Sequence, residues 1–426
     1  MIRSIKLKQF KGLRDEEFEL RPLTLLSGVN GMGKSSFCQA ILLIAQNGGL
    51  NTSIKSSKGR MYTPKPDNRG VGPGMNRHNQ FHYSYVENVD EAFQTENRFN
   101  LNDELVQLGL SGDVLYQYFS NKSIEIEFVV DGISLNDNQS EIPEIKLTYK
   151  FNAEKLDKDY LQLSSLTCEE NAREFSEPNF NLVNNFFYIS ADRLGPQDFY
   201  QPSYEEVIIN RTVGIRGEYT SQYLNSFGDE KIPYPQLCYP GTEEDVTIRQ
   251  QVDHWMSMVR PGVKVETVSS SELNLYGLRY RFRNHTELSN QFRPRNVGFG
   301  ISYLLPLFVS VLGAEKPSLF IIENPESHIH PKGQAEIGRF IALAASVGHQ
   351  IIVETHSDHI LNGIRVAVKE QILPHDKAQF LFFRQDVQDG LSCLTADEVT
   401  ILANGKMVGR PKGFFDEYEN QLSKLI

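Results

Sequence analysis

Apolar and polar residues alternate at the start of the chain: Ile5 and Leu7 flank Lys6, and Phe18 and Leu20 flank Glu19. A period of two predicts half-buried strands on either side of a turn at Gly12. Leu23, Leu25 and Leu26 form a more continuous apolar run, which predicts a strand covered on both faces. Beyond a glycine-rich loop, Phe37, Ala40, Ile41 and Ile44 recur at helical spacing, and Asn47-Gly48-Gly49 marks the helix stop.

Further along, SIEIEFVV and EIKLTYKF alternate within residues 122–151 around an Asn/Asp-rich turn at 136–139, which predicts an antiparallel pair. Asn185 to Ser190 reads as another strand. Residues 197–290 read as a mainly helical subregion that holds Trp255. In the last third, apolar strands at Leu319–Ile322, Ile351–Val353 and Phe380–Phe383 alternate with helices over Ile337–Ala344 and Ile360–Val366. Alternation of this kind predicts an α/β chain with a mostly parallel sheet flanked by helices, and an antiparallel portion early on. The expected division is an N-terminal lobe at 1–196 with a strand-rich insertion at 48–184, the helical subregion, and a C-terminal lobe at 291–426. The sequence shows neither an internal repeat nor a sustained heptad.

At 426 residues, 40% hydrophobic and 23% charged, the chain has room for more than one lobe and is not a disordered polymer. Its net charge of −11 excludes a surface that grips nucleic acid everywhere. One basic stretch remains: Lys55 to Arg77 carries six Lys/Arg against one Asp, and reads first as a loop and second as a phosphate or nucleic-acid contact. No run of about 18 apolar residues is present, and the start lacks the apolar block of a signal peptide, so the expected location is cytoplasmic, with no membrane partner. Cys38, Cys168, Cys238 and Cys393 lie far apart and read as reduced core thiols.

The sharpest chemical signal is Gly28-Val29-Asn30-Gly31-Met32-Gly33-Lys34-Ser35, which fits GxxxxGK[ST] between an apolar strand and an amphipathic helix. Glycines let successive amides face one point, and the helix beginning near Lys34 adds its positive end. Lys34 then supplies a charge to the β and γ phosphates of ATP, and the Ser35 hydroxyl can ligate Mg²⁺. A phosphate loop needs an acid on a neighbouring strand tip, and Glu323, after the apolar Leu319–Ile322, meets that need for the same Mg²⁺. A third strand delivers Glu354-Thr355-His356-Ser357 to the same edge, where His356 can sense a γ phosphate or its attacking water. His328 and His330, two apart in a loop, make a poor metal pair.

With these residues in place the chain resembles an ABC-type P-loop ATPase of the RecF/SMC/OLD group. The carriers are IKLKQFKGL, the Walker A loop GVNGMGKSS, the Walker B stretch FIIENPESHIHP and the switch segment VETHSDHI. Arg295 to Ser302 stands in the place of the signature motif. YISADRLGP and the tail GRPKGFFDEYENQL are similar to a bacterial family catalogued mainly as a domain of unknown function, members of which serve as the ATPase half of antiphage systems such as Septu. The resemblance implies nucleotide contacts from Lys11, Asn30, Gly31, Gly33, Lys34, Ser35 and Ser36. It further implies contacts across a head-to-tail pair of copies from Asn296, Gly298, Gly300 and Ser302. The usual acid pair reads Glu323-Asn324 here, so an amide stands where a general base is expected. The sequence then predicts slow turnover, or substitution by Glu326 or His356. The expected role is a nucleotide-sandwiched dimer acting as a switch for a separately encoded nuclease or toxin in antiphage defence. The alternative is a DNA-binding repair clamp using the Lys55–Arg77 loop.

Overall fold

The computed structural model describes residues 1–47, 62–66, 81–85, 98–119, 121–131, 144–170, 185–284 and 287–425. The first half runs through β1 (Ile2–Phe10), β2 (Leu13–Glu19), β3 (Leu23–Gly28), α1 (Lys34–Gln46), β4 (Tyr62–Pro66), β5 (Phe81–Tyr85), β6 (Arg98–Asn100), β7 (Ser123–Asp131), β8 (Glu144–Asn152), β9 (Tyr160–Glu170) and β10 (Phe186–Ile189). Helices α2 (Thr220–Phe227) and α3 (Ile248–Met256) follow, then β11 (Val263–Ser270), β12 (Leu275–Asn284) and β13 (Glu287–Leu288). The remainder holds α4 (Phe299–Gly313), β14 (Leu319–Glu323), α5 (Pro331–Ser346), β15 (Gln350–Glu354), α6 (Asp358–Lys369), β16 (Ala378–Gln388), β17 (Leu391–Ile401), β18 (Met407–Val408) and α7 (Glu417–Leu425).

Two compact units interleave along the chain: one comprises Met1–Arg21, Gly28–Asn184 and Leu381–Glu398, the other Pro22–Ser27, Asn185–Phe380 and Val399–Ile426. Long-range strand pairing decides the division, and composition along the chain does not report it.

In the first unit an antiparallel sheet takes the order β2-β1-β7-β8-β9-β6. The alternation read from the sequence sets its two faces. Ile124, Ile126, Phe128 and Val130 are buried, while Glu125 and Glu127 point outward to Lys8 at 2.8 Å and Lys146 at 2.9 Å. The apolar side receives α1, with the Phe37 ring edge-on to Phe18 at 5.2 Å. The turn expected at 136–139 and the basic Lys55–Arg77 segment lie outside the described residues, the backbone of β4 excepted.

In the second unit β10, β14, β15 and β3 run parallel, with Phe186 opposite Leu319, Leu319 opposite Gln350, and Ile351 opposite Leu23. Within this unit these strands take the order β10-β14-β15-β3. The α/β class expected of an ABC-type P-loop ATPase is therefore borne out. The strands at 319, 351 and 380 and the helices between them stand where periodicity put them. The core is apolar where three helices meet: the Trp255 indole of α3 stacks on Phe308 of α4 and lies edge-on to Phe340 of α5. The helical expectation for 197–290 needs correcting. Residues 263–284 form the hairpin β11–β12, with Val265 opposite Tyr280, because Val263 and Val265 alternate with polar neighbours at a period of two.

Candidate functional site

The phosphate-binding sequence folds as a strand, a tight loop and a helix. Gly28, Gly31 and Gly33 take φ of 137°, 80° and 100°, a region that side-chain-bearing residues avoid. At Gly28 the need is doubled, since a Cβ there would lie 2.3 Å from the Phe383 carbonyl oxygen. The Met32 amide closes a turn on Val29 O at 3.3 Å. Helix α1 then starts on Gly33 with no side-chain cap and no acid in its first turn. The positive dipole end of α1 thus faces the loop without a competing side-chain charge, which favours an anion there.

Lys34 is only 3% exposed, and its Nζ donates to Gly28 O at 2.9 Å and Val29 O at 3.1 Å. The ammonium therefore sits inside the loop's own curl. Asn30, Gly31 and Ser35 are exposed and Ser36 is half-buried. Lys11 also belongs to this unit: its Nζ donates to Gln39 Oε1 of α1 at 2.6 Å, one helical turn beyond Ser35, and burial lowers its pKa. These features fit the phosphate chain of a nucleotide with its divalent ion.

In the second unit three strand tips share one edge. Leu26, Glu354 and Glu323 lie in a single row across β3, β15 and β14. Beyond the tip of β14 the chain turns sharply at Asn324, with φ 43° and its amide bonded to Glu354 O at 2.8 Å. Asn tolerates this left-handed conformation better than most residues. Glu326 is tied to the neighbouring tip, accepting from Thr355 Oγ1 at 2.8 Å and from the His356 amide at 2.9 Å. The His356 ring is exposed. Ser357 caps α6 and donates to Gln334 Oε1 at 2.6 Å, which binds the turn after β14 to the switch segment.

Sequence reasoning passed over Arg193, which ends the YISADR stretch. It is 5% exposed and donates through Nε to Ser190 O at 2.9 Å, through Nη1 to Tyr303 O at 3.3 Å, and through Nη2 to Glu323 O. Its guanidinium lies 4.1 Å above the Tyr303 ring. Burial draws its pKa down to about 10, against the pull of Tyr303, Glu326 and Glu323. The available signal was an Arg directly after a strand that pairs with β14. The roles of Thr355, quoted above only as part of its strand tip, and of Gln334 were not legible either, because they appear only through long-range contacts.

The signature segment divides. Asn296 and Gly298 are exposed at the start of α4, and a Cβ added to Gly298 would meet nothing within 4 Å. Gly300 is buried, with a Cβ position 2.5 Å from His328 O, so its glycine serves packing. The hydroxyl expected from Ser302 does not face outward. It is 6% exposed and bonded to the buried Tyr280 hydroxyl at 3.2 Å, since the fourth residue of α4 turns toward the core. His328 packs tilted against Phe299 and edge-on to Tyr303, and His330 caps α5 at Lys332 N, which gives both histidines structural employment. Cys38, Cys238 and Cys393 are buried free thiols, as expected. Among the described residues no cluster of three metal-ligating side chains occurs, and no helix is long and apolar enough to cross a membrane.

Residues 23–362 match a family described as "AAA domain, putative AbiEii toxin, Type IV TA system", and residues 373–425 match one described as "Protein of unknown function (DUF3696)". No curated protein matches the chain. Among solved structures, an SMC head bound to the C-winged helix domain of ScpA aligns at 13% identity, covering 94% of this chain and 98% of that one, with a TM-score of 0.46. The SMC head domain from Thermotoga maritima aligns at 12% identity over 93% and 99% of the two chains, with a TM-score of 0.39. An Smc head domain with an extended coiled coil, bound to the C-terminal domain of ScpA derived from Pyrococcus furiosus, aligns at 11% over 100% and 99%, with a TM-score of 0.44.

Proposed function

The chain belongs to this AAA-domain family, and from that premise we propose that it binds ATP with Mg²⁺, hydrolyses it slowly, and acts as a nucleotide-controlled switch on a partner protein. The observation that carries this reading is the fit of the loop to phosphate: glycines at 28, 31 and 33, an uncapped helix start, and Lys34 folded onto the loop carbonyls. Asn30, Gly31, Gly33, Lys34, Ser35 and Ser36 take the phosphates, and Lys11 lies along the same helix. Ser35 and Glu323 would hold the magnesium ion, which would neutralise phosphate charge.

Hydrolysis needs a water oxygen to attack the γ phosphorus while its proton leaves and the ADP oxygen departs. Asn324 cannot take that proton at neutral pH. Both oxygens of Glu326 already accept hydrogen bonds, from Thr355 Oγ1 and the His356 amide, so its carboxylate is tied to the neighbouring strand tip. A missing base typically costs about 10²–10⁴-fold in rate, so slow turnover follows. The exposed His356, anchored through its amide to Glu326, would serve as the γ-phosphate sensor. Asn296 and Gly298 extend this logic to a second copy, whose nucleotide would meet the exposed start of α4. The family's description names a putative toxin of a type IV toxin–antitoxin system; the controlled partner we propose is a separately encoded nuclease or toxin in antiphage defence.

Calorimetry with Mg-ATP tests the reading. Wild type should bind one nucleotide per chain, and Lys34→Ala should weaken binding by on the order of 10²-fold while remaining folded, because a charge-assisted phosphate contact is lost. Equal affinity in a folded Lys34→Ala chain would overturn the site.

A further inference from the structure

Four hydrogen bonds close a ring in the second unit. The Glu323 carboxylate accepts from the Ala191 amide at 3.0 Å, and the Ala191 carbonyl accepts from the Tyr303 hydroxyl. The Tyr303 carbonyl accepts from Arg193 Nη1 at 3.3 Å, and Arg193 Nη2 donates back to the carbonyl of Glu323. Both ends of Glu323, side chain and main chain, are therefore held by one circuit. The opposite side of that circuit is α4, whose exposed start is Gly298-Phe299. Besides Glu323 itself, two side chains carry the circuit, Arg193 and Tyr303, and both are 5% exposed.

Packing alone does not explain Arg193. Burying a guanidinium costs several kcal/mol, and an apolar residue of similar volume would fill the space more cheaply. What the cation adds is donors in a fixed fork, which join three carbonyls, one just past the end of β10 and the others on α4 and β14. A helix shift at Tyr303 cannot leave this circuit intact without moving either the Ala191 amide or the Glu323 backbone.

We infer that Arg193 and Tyr303 are positioning residues that couple the place of helix α4 to the orientation of the Glu323 carboxylate. Engagement of the α4 start by a second copy is then felt at Glu323 without any direct contact. This rests on the reading of Glu323 as a magnesium residue.

The experiment uses the full chain and titrates Mg²⁺ at fixed ATP, reading nucleotide binding. Tyr303→Phe removes one hydroxyl and keeps the ring under the guanidinium. It should raise the half-saturating Mg²⁺ concentration by about 3- to 10-fold, the worth of one hydrogen bond to a site carboxylate's support. ATP binding in EDTA should stay unchanged. In a Glu323→Gln background the same substitution should shift the Mg²⁺ midpoint by less than about 1.5-fold, because nothing remains to be oriented. Arg193→Lys, which keeps charge but loses the fork, should repeat the Tyr303→Phe result. An unshifted midpoint in Tyr303→Phe, or an equal shift with and without Glu323→Gln, would overturn the coupling. Identical midpoints for wild type and Glu323→Gln would instead overturn the magnesium reading of Glu323, and the coupling with it.

Discussion

At the scale of single residues, Asn324 and His349 each concentrate a consequence. Asn324 occupies a left-handed turn directly after Glu323, so a replacement must tolerate positive φ. Asp shares that tolerance and supplies a carboxylate. Asn324→Asp should therefore raise the steady-state release of phosphate by at least about tenfold, toward the usual worth of a general base. An unchanged rate would show that the proton leaves by another route. His349 is fully buried between Ser318 and the Tyr234 and Phe320 rings, and burial holds its pKa near 4 against 6.5 in the unfolded chain. As pH falls the unfolded histidine takes its proton first. The contribution is complete above about pH 6.5 and is lost between there and pH 4, on the order of 3 kcal/mol in total. Urea denaturation across that window should show a steeper acid limb for wild type than for His349→Gln.

At the scale of elements, backbone proximity governs how α5 and α6 meet. A Cβ on Gly363 would stand 2.0 Å from Ala335 O, and one on Gly338 would stand 2.2 Å from Ile360 O. Each helix thus presses a glycine against the other's carbonyls, and these two helices follow β14 and β15 and hold their tips in place. Gly363→Ala should cost about 1–3 kcal/mol by overpacking and lower the melting temperature, as read by calorimetry. The periodicity of both helices was plain in the sequence, since Ile337, Phe340, Ile341 and Ala344 mark one face. That two glycines would touch was not, because contact between helices depends on which turns align in space.

At the scale of the whole molecule, the proposed switch predicts that Mg-ATP drives two copies together. Light scattering should report twice the monomer mass with ATP and the monomer with ADP. Gly298 provides a clean probe. Its φ of −58° is ordinary and an added Cβ meets nothing, so Gly298→Ala should leave thermal stability within about 0.5 kcal/mol of wild type. It should nevertheless weaken ATP-driven association, because the methyl enters the space where a partner's phosphate approaches. Normal association in this variant would count against the α4 start as the interface.

The sequence by itself determined the local grammar of this protein. It set the alternation of β1 and β7, the apolar runs of β3, β14 and β15, and the glycine loop with Lys34 and Ser35, since periodicity and turn chemistry act over a few residues. Tertiary structure alone decided how the strands sort into two interleaved units, that Ser302 turns inward to Tyr280, and that Glu326 is held by Thr355 and His356. It also decided that Arg193 reaches Glu323 across 130 residues of chain. Such outcomes depend on which side chains meet after folding, and a buried polar group takes whatever partner the packed chain brings within hydrogen-bonding distance.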